Sequence, residues 1–160
     1  MGASNGAATA RKGEEAMPVV TILGPSGLTR KAKKELIEGA LYVLNETYEM
    51  PDERVYINEV ADENVGHTPV LEVTRGEKWA VQSEPARIFV EVTGPAGLPI
   101  DRKRKLIRGL TEVAGRAYGL KELREVLVSL DEHKVEDFAT NGFLQTENAE
   151  FAAPAVKHGG

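Results

Sequence analysis

The chain has 160 residues, a hydrophobic content of 41%, a charged content of 28% and a formal net charge of -5 at pH 7. These values are ordinary for a soluble globular protein, and the acidic balance argues against a nucleic-acid-binding protein, which usually carries a basic stripe. The chain has no cysteine, which excludes disulfides, thiolate chemistry and cysteine-based metal sites.

The first 16 residues are small, polar and charged, and they lack the apolar stretch of a secretory signal. They predict a disordered leader, 1–16, outside the folded domain, with an over-long start of the sequence or a non-native remnant as the alternative. No run of the sequence approaches the roughly 18 apolar residues that a membrane-spanning helix needs. We therefore expect no membrane contact and a cytoplasmic location.

The first structured unit is predicted as strand, helix, strand. Residues 19–23 are a β-branched run that ends at the turn Gly-Pro-Ser-Gly, 24–27. A helix follows from about Thr29, a favourable N-cap residue, and ends before Pro51. Residues 54–60 give the second strand. The apolar face of the helix is predicted from helical spacing as Leu36, Ile37, Ala40, Leu41 and Leu44.

A second unit of the same kind follows after residues 61–86, in which 70–81 predict a hairpin. It comprises a strand at 88–93, a helix at 99–118 and a closing strand at 126–130. The apolar face of its helix is predicted as Leu106, Ile107, Leu110, Val113, Ala114 and Ala117.

The two units are a weak repeat at a fixed offset of 70 residues. Residues 18–54 align with 88–124 without a gap, and 12 of the 37 positions are identical, including Arg54 with Arg124. Such self-similarity indicates one folding unit used twice. Because a helical crossover joins parallel strands, the units predict an α/β fold, a four-stranded sheet with both helices on one face. The bare face then favours an oligomer.

The folded domain is predicted to span 17–146, with repeats at about 18–60 and 88–132. Residues 147–160 are rich in alanine and end in Gly-Gly, which predicts a loose tail. Phenylalanines such as Phe138 suggest that part of the segment after the last strand packs on the domain.

A duplicated β-α-β unit that opens with Met17-Pro18 resembles the tautomerase superfamily. That group includes the oxalocrotonate tautomerases, macrophage migration inhibitory factor and the chloroacrylic acid dehalogenases. Two stretches carry the resemblance, MPVVTILGPSGLTRKAKKELIEG at 17–39 and PDERVYINEVADENVG at 51–66. The resemblance covers about 17–132 and implies a homotrimer of long, two-unit subunits. It also implies a small-molecule substrate, with neither a cofactor nor a metal.

The resemblance implies that Pro18 is the catalytic base, because this family uses an amino-terminal proline. A free secondary amine has a reference pKa of roughly 7.7–8.0, which burial lowers toward neutrality. Such a base suits proton transfer at a carbon next to a carbonyl. An internal proline has an amide nitrogen and is no base, so the role requires removal of Met17. The alternative for Pro18 is an ordinary first residue of a strand.

Three residues of the second strand are candidates for substrate binding. Tyr56 and Asn58 match family positions near the proline, and their spacing of two places both on one face of a strand. Arg54 resembles the family arginine that polarises the carboxylate or carbonyl end of the substrate, since a guanidinium binds a carboxylate bidentately. The alternatives are an ordinary aromatic, a solvated amide and an exposed arginine at a strand end.

The second unit is predicted to be scaffold. In the gapless alignment Pro18 pairs with Ile88, and Tyr56 and Asn58 pair with Val126 and Val128. The three histidines do not cluster at metal-ligand spacing, so no metal site is expected.

The sequence predicts a keto-enol tautomerase of a small 2-oxo, phenylpyruvate-like acid. Leu28 and Leu98 stand where oxalocrotonate tautomerases have an arginine, and Thr140 is close to the place of a dehalogenase glutamate. These departures favour a less charged substrate. Two alternatives stay open. One is a hydratase, dehalogenase or decarboxylase of the same superfamily, and the other is a non-catalytic protein of this fold in which Pro18 is never amino-terminal.

Overall fold

A computed structural model describes residues 18–50, 53–65, 86–140, 142–144 and 146–147. The expected leader at 1–16, the hairpin at 70–81 and the tail after residue 147 lie outside the described residues. No helix within the described ranges is long and apolar enough to cross a membrane. The main elements are β1 (Val19–Pro25), α1 (Arg30–Tyr48), β2 (Arg54–Val60), β3 (Ile88–Pro95), α2 (Ile100–Ala117) and β4 (Val126–His133), followed by the short strands β5 (Ala139–Thr140) and β6 (Phe143–Leu144).

The main sheet has the strand order β2-β1-β3-β4. The two strands of each unit are parallel, and β1 and β3 join the units as an antiparallel pair. This confirms the predicted four-stranded sheet built from two β-α-β units. The strand predicted at 54–60 has those bounds, whereas β4 continues three residues past its predicted end at residue 130.

The core lies between the two helices and one face of the sheet. Alternate residues of β1 and β3 are buried on that face, and burying each such side chain contributes about 1.5–3 kcal/mol. The prediction for Ile107 is wrong, because its side chain is 39% exposed at the edge of the buried stripe of α2. The most deeply buried core residues include Val20, Ile22, Val90, Val92, Leu36, Leu44, Leu106 and Leu110.

The ends of the helices follow local signals in the sequence. The Thr29 side chain accepts a hydrogen bond from the backbone N–H of Ala32 at 3.1 Å, which confirms Thr29 as the N-cap of α1. The helix ends at Glu49, whose backbone is left-handed with φ 54°. Pro99 occupies the N-cap of α2 and makes no capping bond from its side chain.

Paired glycines and valines set the distance between the helices. Gly39 on α1 faces Val113 on α2, and Gly109 on α2 faces Val43 on α1. A Cβ atom at Gly39 or Gly109 would lie 2.8 or 2.9 Å from a valine methyl carbon. In the repeat Gly39 aligns with Gly109, and Val43 aligns with Val113. The two units therefore contribute the same glycine and the same valine to the contact between the helices.

A tyrosine at the end of each helix covers a glycine of the other unit. Tyr48 lies over Gly94 at the end of β3, and Tyr118 lies over Gly24 at the end of β1. Burial raises the pKa of Tyr48 to about 12, with a smaller contribution from the charge of Glu132. Neither tyrosine hydroxyl has a hydrogen-bond partner among the described residues. Each unit therefore completes the packing of the other.

A glutamate holds the glycine-rich turn of the first unit. Glu59 accepts hydrogen bonds from the backbone N–H groups of Gly27 and Leu28, at 3.1 and 3.2 Å, and from Lys33 Nζ at 2.6 Å. The bond from Lys33 lowers the pKa of the Glu59 carboxyl, against the opposing effect of burial. The turn and the helix start are thereby tied to β2.

Glu132 makes the equivalent contacts in the second unit. It accepts from the backbone N–H of Leu98 at 3.1 Å and from Lys103 Nζ at 2.5 Å. Burial acts to raise the pKa of Glu132, but the bonds from Lys103 and Leu98 keep it below the ordinary value. Lys33 and Lys103 are 70 residues apart, whereas Glu59 and Glu132 are 73 apart, so the repeat gains three residues before β4.

The strand register corrects the gapless alignment of the repeat. Val19 pairs with Arg54 in the first unit, and its counterpart Phe89 pairs with Leu127 in the second. Leu127, and not Arg124, therefore stands in the place of Arg54. The same three-residue shift changes the counterparts of the other two candidates. The counterpart of Tyr56 is Ser129 and not Val126, and the counterpart of Asn58 is Asp131 and not Val128.

The segment after β4 packs on the domain at one point. The rings of His133 and Phe138 are stacked, with centroids 4.8 Å apart and an interplanar angle of 18°. This agrees with the expectation that part of this segment docks. Further along, Phe143 in β6 is exposed.

Candidate active site

Pro18 lies directly before β1, and its side chain is fully buried. It is in phase with Val20 and Ile22, which are the buried residues of that strand. The carbonyl oxygen of Pro18 accepts the backbone N–H of Arg54 at 3.2 Å, which joins the start of β1 to the start of β2. Since Met17 precedes it, the nitrogen of Pro18 is an amide in this sequence.

The three candidate binding residues share one face of β2, as their spacing predicts. Arg54, Tyr56 and Asn58 are exposed and alternate with the half-buried Val55 and Ile57. They therefore lie on the bare face of the sheet, whereas Pro18 is in phase with the face that the helices cover. The register sets Arg54, Tyr56 and Asn58 opposite Val19, Thr21 and Leu23. Within one chain the structure brings Arg54 close to Pro18 and leaves Tyr56 and Asn58 further along the strand.

A carboxyl that the sequence prediction omitted lies beside Pro18. Glu53 directly precedes β2 and stands opposite Pro18, because Val19 pairs with Arg54. The Oε1 atom of Glu53 is buried and has no hydrogen-bond partner among the described residues. Burial raises the pKa of the Glu53 carboxyl from 4.5 to about 7.

Ionisation of Glu53 opposes folding. Between pH 4.5 and about 7 the unfolded chain releases this proton while the folded protein retains it, so this group lowers stability as the pH rises through that range. Carboxyls with pKa values raised in this way occur often at functional sites, where a group that exchanges protons near neutral pH is needed.

The second unit shows what the fold itself requires at these two positions. The counterparts of Pro18 and Glu53 are Ile88 and Val126, which pair with each other and are 2% and 8% exposed. In the second unit the pair is ordinary apolar core. The gapless alignment sets Glu53 against Leu123. An alignment with a three-residue gap sets Glu53 against Val126, and it shows that a carboxyl in the first unit replaces a buried valine of the second.

Comparison with known proteins identifies the fold. Residues 18–73 match the family model described as tautomerase enzyme. Similar solved structures include a fused 4-OT wild type asymmetric trimer, at 19% identity and a TM-score of 0.66, covering 81% of this chain and 97% of that one. The chain therefore has the fold of this fused 4-OT structure.

Other solved structures have the same fold at lower TM-scores. Macrophage migration inhibitory factor of Toxoplasma gondii is 14% identical with a TM-score of 0.58, over 77% of this chain and 96% of that one. FG41 malonate semialdehyde decarboxylase is 18% identical with a TM-score of 0.60, over 85% and 99%. No curated protein matches the chain.

A cavity lies at one end of the second unit. It has a volume of about 610 Å³, and its lining includes Ile88, Tyr118, Arg87 and Arg124. Ile88 is the counterpart of Pro18, so the cavity lies at the equivalent end of the second unit. It contains no proline at the place where the first unit has one.

The groups of the first unit are suited to proton transfer on an anionic substrate. Glu53 offers a carboxyl whose pKa is near neutral pH, and Arg54 offers a guanidinium that binds carboxylates. Tyr56 and Asn58 offer a phenol and an amide for hydrogen bonds. Pro18 offers an amine only when it is the first residue. In the part of the chain that the structure describes, no group of three or more His, Cys, Asp or Glu side chains is placed to hold a metal ion.

Proposed function

We propose that this chain is a keto-enol tautomerase of a small 2-oxo, phenylpyruvate-like acid, with Pro18 as the base when it is the first residue. The observation that carries the proposal is the position of Pro18 at the start of β1, hydrogen-bonded to β2, in a tautomerase-superfamily fold. Its side chain is buried. Burial lowers the pKa of an amine toward neutrality, where a base removes protons next to a carbonyl most effectively.

The binding residues have distinct roles in this proposal. Arg54 binds the substrate carboxylate, and Tyr56 and Asn58 hydrogen-bond the enolate oxygen. Since all three residues lie on the bare face of the sheet, they would act on a substrate held at Pro18 of a neighbouring subunit. No cofactor takes part in this chemistry.

A homotrimer would supply that neighbouring subunit. The fused 4-OT structures similar to this chain are described as trimers. The bare face of this chain also carries apolar side chains that a monomer leaves in water, including Leu127, which is 47% exposed. Burial of such a patch between subunits favours association.

Leu127→Asp should convert the trimer to monomers, because it places a charge on the apolar bare face. The measurement is size-exclusion chromatography with light scattering at a fixed protein concentration. Tyr42→Asp is the matched control, since Tyr42 is 67% exposed on α1 and lies away from the bare face. A Leu127→Asp variant of unchanged mass would show that this face is not the interface.

The catalytic proposal is tested on protein that intact-mass measurement shows to begin at Pro18. With enol phenylpyruvate as the substrate, Pro18→Ala should lower kcat at least about tenfold, because a flexible primary amine replaces an amine that the ring holds in place. Pro99→Ala, an exposed proline at the start of α2, is the control. A wild-type rate equal to that in buffer, or no loss in Pro18→Ala, rejects the proposal.

A second candidate is a non-catalytic member of the superfamily. The observation in its favour is the peptide bond between Met17 and Pro18 in this sequence, which removes the basicity of the nitrogen. Intact mass of the protein isolated from its own cells separates the two candidates. A mass that includes Met17 supports the non-catalytic candidate, and a mass that begins at Pro18 supports the enzyme.

A further inference from the structure

The fold does not require a carboxyl beside Pro18. At the same place in the second unit the chain has Val126 packed on Ile88, and both are buried. A valine at position 53 would fill this space without the cost of burying an ionisable group. The carboxyl of Glu53 therefore needs an explanation other than packing.

The Oε1 atom of Glu53 is buried and has no hydrogen-bond partner among the described residues. Arg102 at this end of α1 is engaged elsewhere, since it donates to the carbonyl of Thr47 at 2.8 Å and lies 3.5 Å from Glu49. Arg54 points to the opposite face of the sheet, in phase with Tyr56.

The missing donor would appear when Pro18 becomes the first residue. The amide nitrogen of an internal proline carries no hydrogen, whereas an amino-terminal prolyl ammonium carries two. Pro18 and Glu53 stand opposite each other at the start of two hydrogen-bonded parallel strands, which lie about 4.8 Å apart. We propose that the Glu53 carboxyl is the proton-exchange partner of the Pro18 amine, an inference that rests on the proposed function.

This pairing gives the tautomerase site two proton-transfer groups. In the enol-to-keto direction that the assays follow, the Pro18 ammonium donates a proton to the carbon next to the carbonyl while the Glu53 carboxylate takes the proton of the enol oxygen, which yields the keto acid. A proton then passes from the Glu53 carboxylic acid to the Pro18 amine and restores both groups. One proton leaves oxygen and one reaches carbon, so no further reactant is consumed, and in the reverse direction the Pro18 amine is the base.

The first test follows the Glu53 carboxyl by carbon-13 NMR in the full chain and in protein that begins at Pro18. In the full chain Glu53 should titrate near neutral pH. In the processed protein its pKa should fall by about one unit or more, because a neighbouring ammonium favours the carboxylate. An unchanged Glu53 titration would overturn the pairing, whatever the activity of the protein.

The second test compares Glu53→Gln with the control Glu49→Gln in processed protein. Loss of this carboxyl should lower kcat for enol phenylpyruvate about a hundredfold and leave KM nearly unchanged, the contribution expected of one general acid or base. A Glu53→Gln rate equal to wild type, with activity still lost in Pro18→Ala, rejects the inference and leaves the proposed function standing. If wild type itself shows only the buffer rate, the proposed function fails. Should Glu53→Gln not fold by circular dichroism, the titration decides.

Discussion

A protein that begins at Pro18 should convert enol phenylpyruvate at least about a hundredfold faster than the full chain, in which Met17 precedes Pro18. Removing Met17 turns an amide nitrogen into a secondary amine with a reference pKa of roughly 7.7–8.0. A positioned acid or base contributes about 10²–10⁴ to the rate of such a proton transfer. The measurement is the decay of enol absorbance, on samples whose first residue is fixed by intact mass.

A third sample tests whether the faster rate comes from the amine of Pro18 or only from the absence of the residues before it. Protein that begins at Val19 also lacks the leader, but its amine stands one residue further along β1 and carries no ring. It should show the rate of the full chain. Equal rates in protein that begins at Pro18 and in the full chain would contradict the proline mechanism, since only one of them has a basic nitrogen at that place.

Leu106→Ala should lower the free energy of unfolding by about 2–5 kcal/mol, the usual cost of a cavity left by a buried leucine. Leu106 is fully buried between α2 and the sheet, so no solvent exposure relieves the loss. The neighbouring Ile107→Ala should cost about 1 kcal/mol or less, because 39% of that side chain is already exposed.

Urea denaturation measures both variants, at one protein concentration because an oligomer gains apparent stability with concentration. The midpoint should move for Leu106→Ala with the slope unchanged. Similar losses in the two variants would mean that Ile107 is buried as deeply as Leu106, with α2 rotated about its axis.

The local signals of the sequence predict the elements well, and their edges less well. Thr29 marks the start of α1 because a hydroxyl at the N-cap binds a free backbone N–H, and that contact depends only on neighbours in the chain. Ile107 was misplaced for the opposite reason. Helical periodicity locates the centre of an apolar stripe, whereas the packing of α2 on the sheet decides where the stripe ends.

The candidate site depended on information that the sequence does not carry locally. The identity of Arg54 and Arg124 supports a gapless repeat, but strand pairing shifts β4 by three residues and sets Leu127 in the place of Arg54. Register is a property of two strands together, and one strand alone does not specify it. Glu53 was missed because a carboxyl after Pro51 and Asp52 is typical of a solvated loop, and only the tertiary structure buries it.

The tyrosines that cover Gly24 and Gly94 have a consequence for how such a chain evolves. Each half supplies the tyrosine that covers a glycine of the other half. The two halves therefore resemble a dimer whose subunits are covalently joined and always present in equal number. In a dimer of identical chains every substitution appears twice. In this chain one half can keep Pro18 and Glu53 while the other becomes apolar at Ile88 and Val126. Because the halves are covalently joined, they can differ in sequence at equivalent positions, which a dimer of identical chains cannot do.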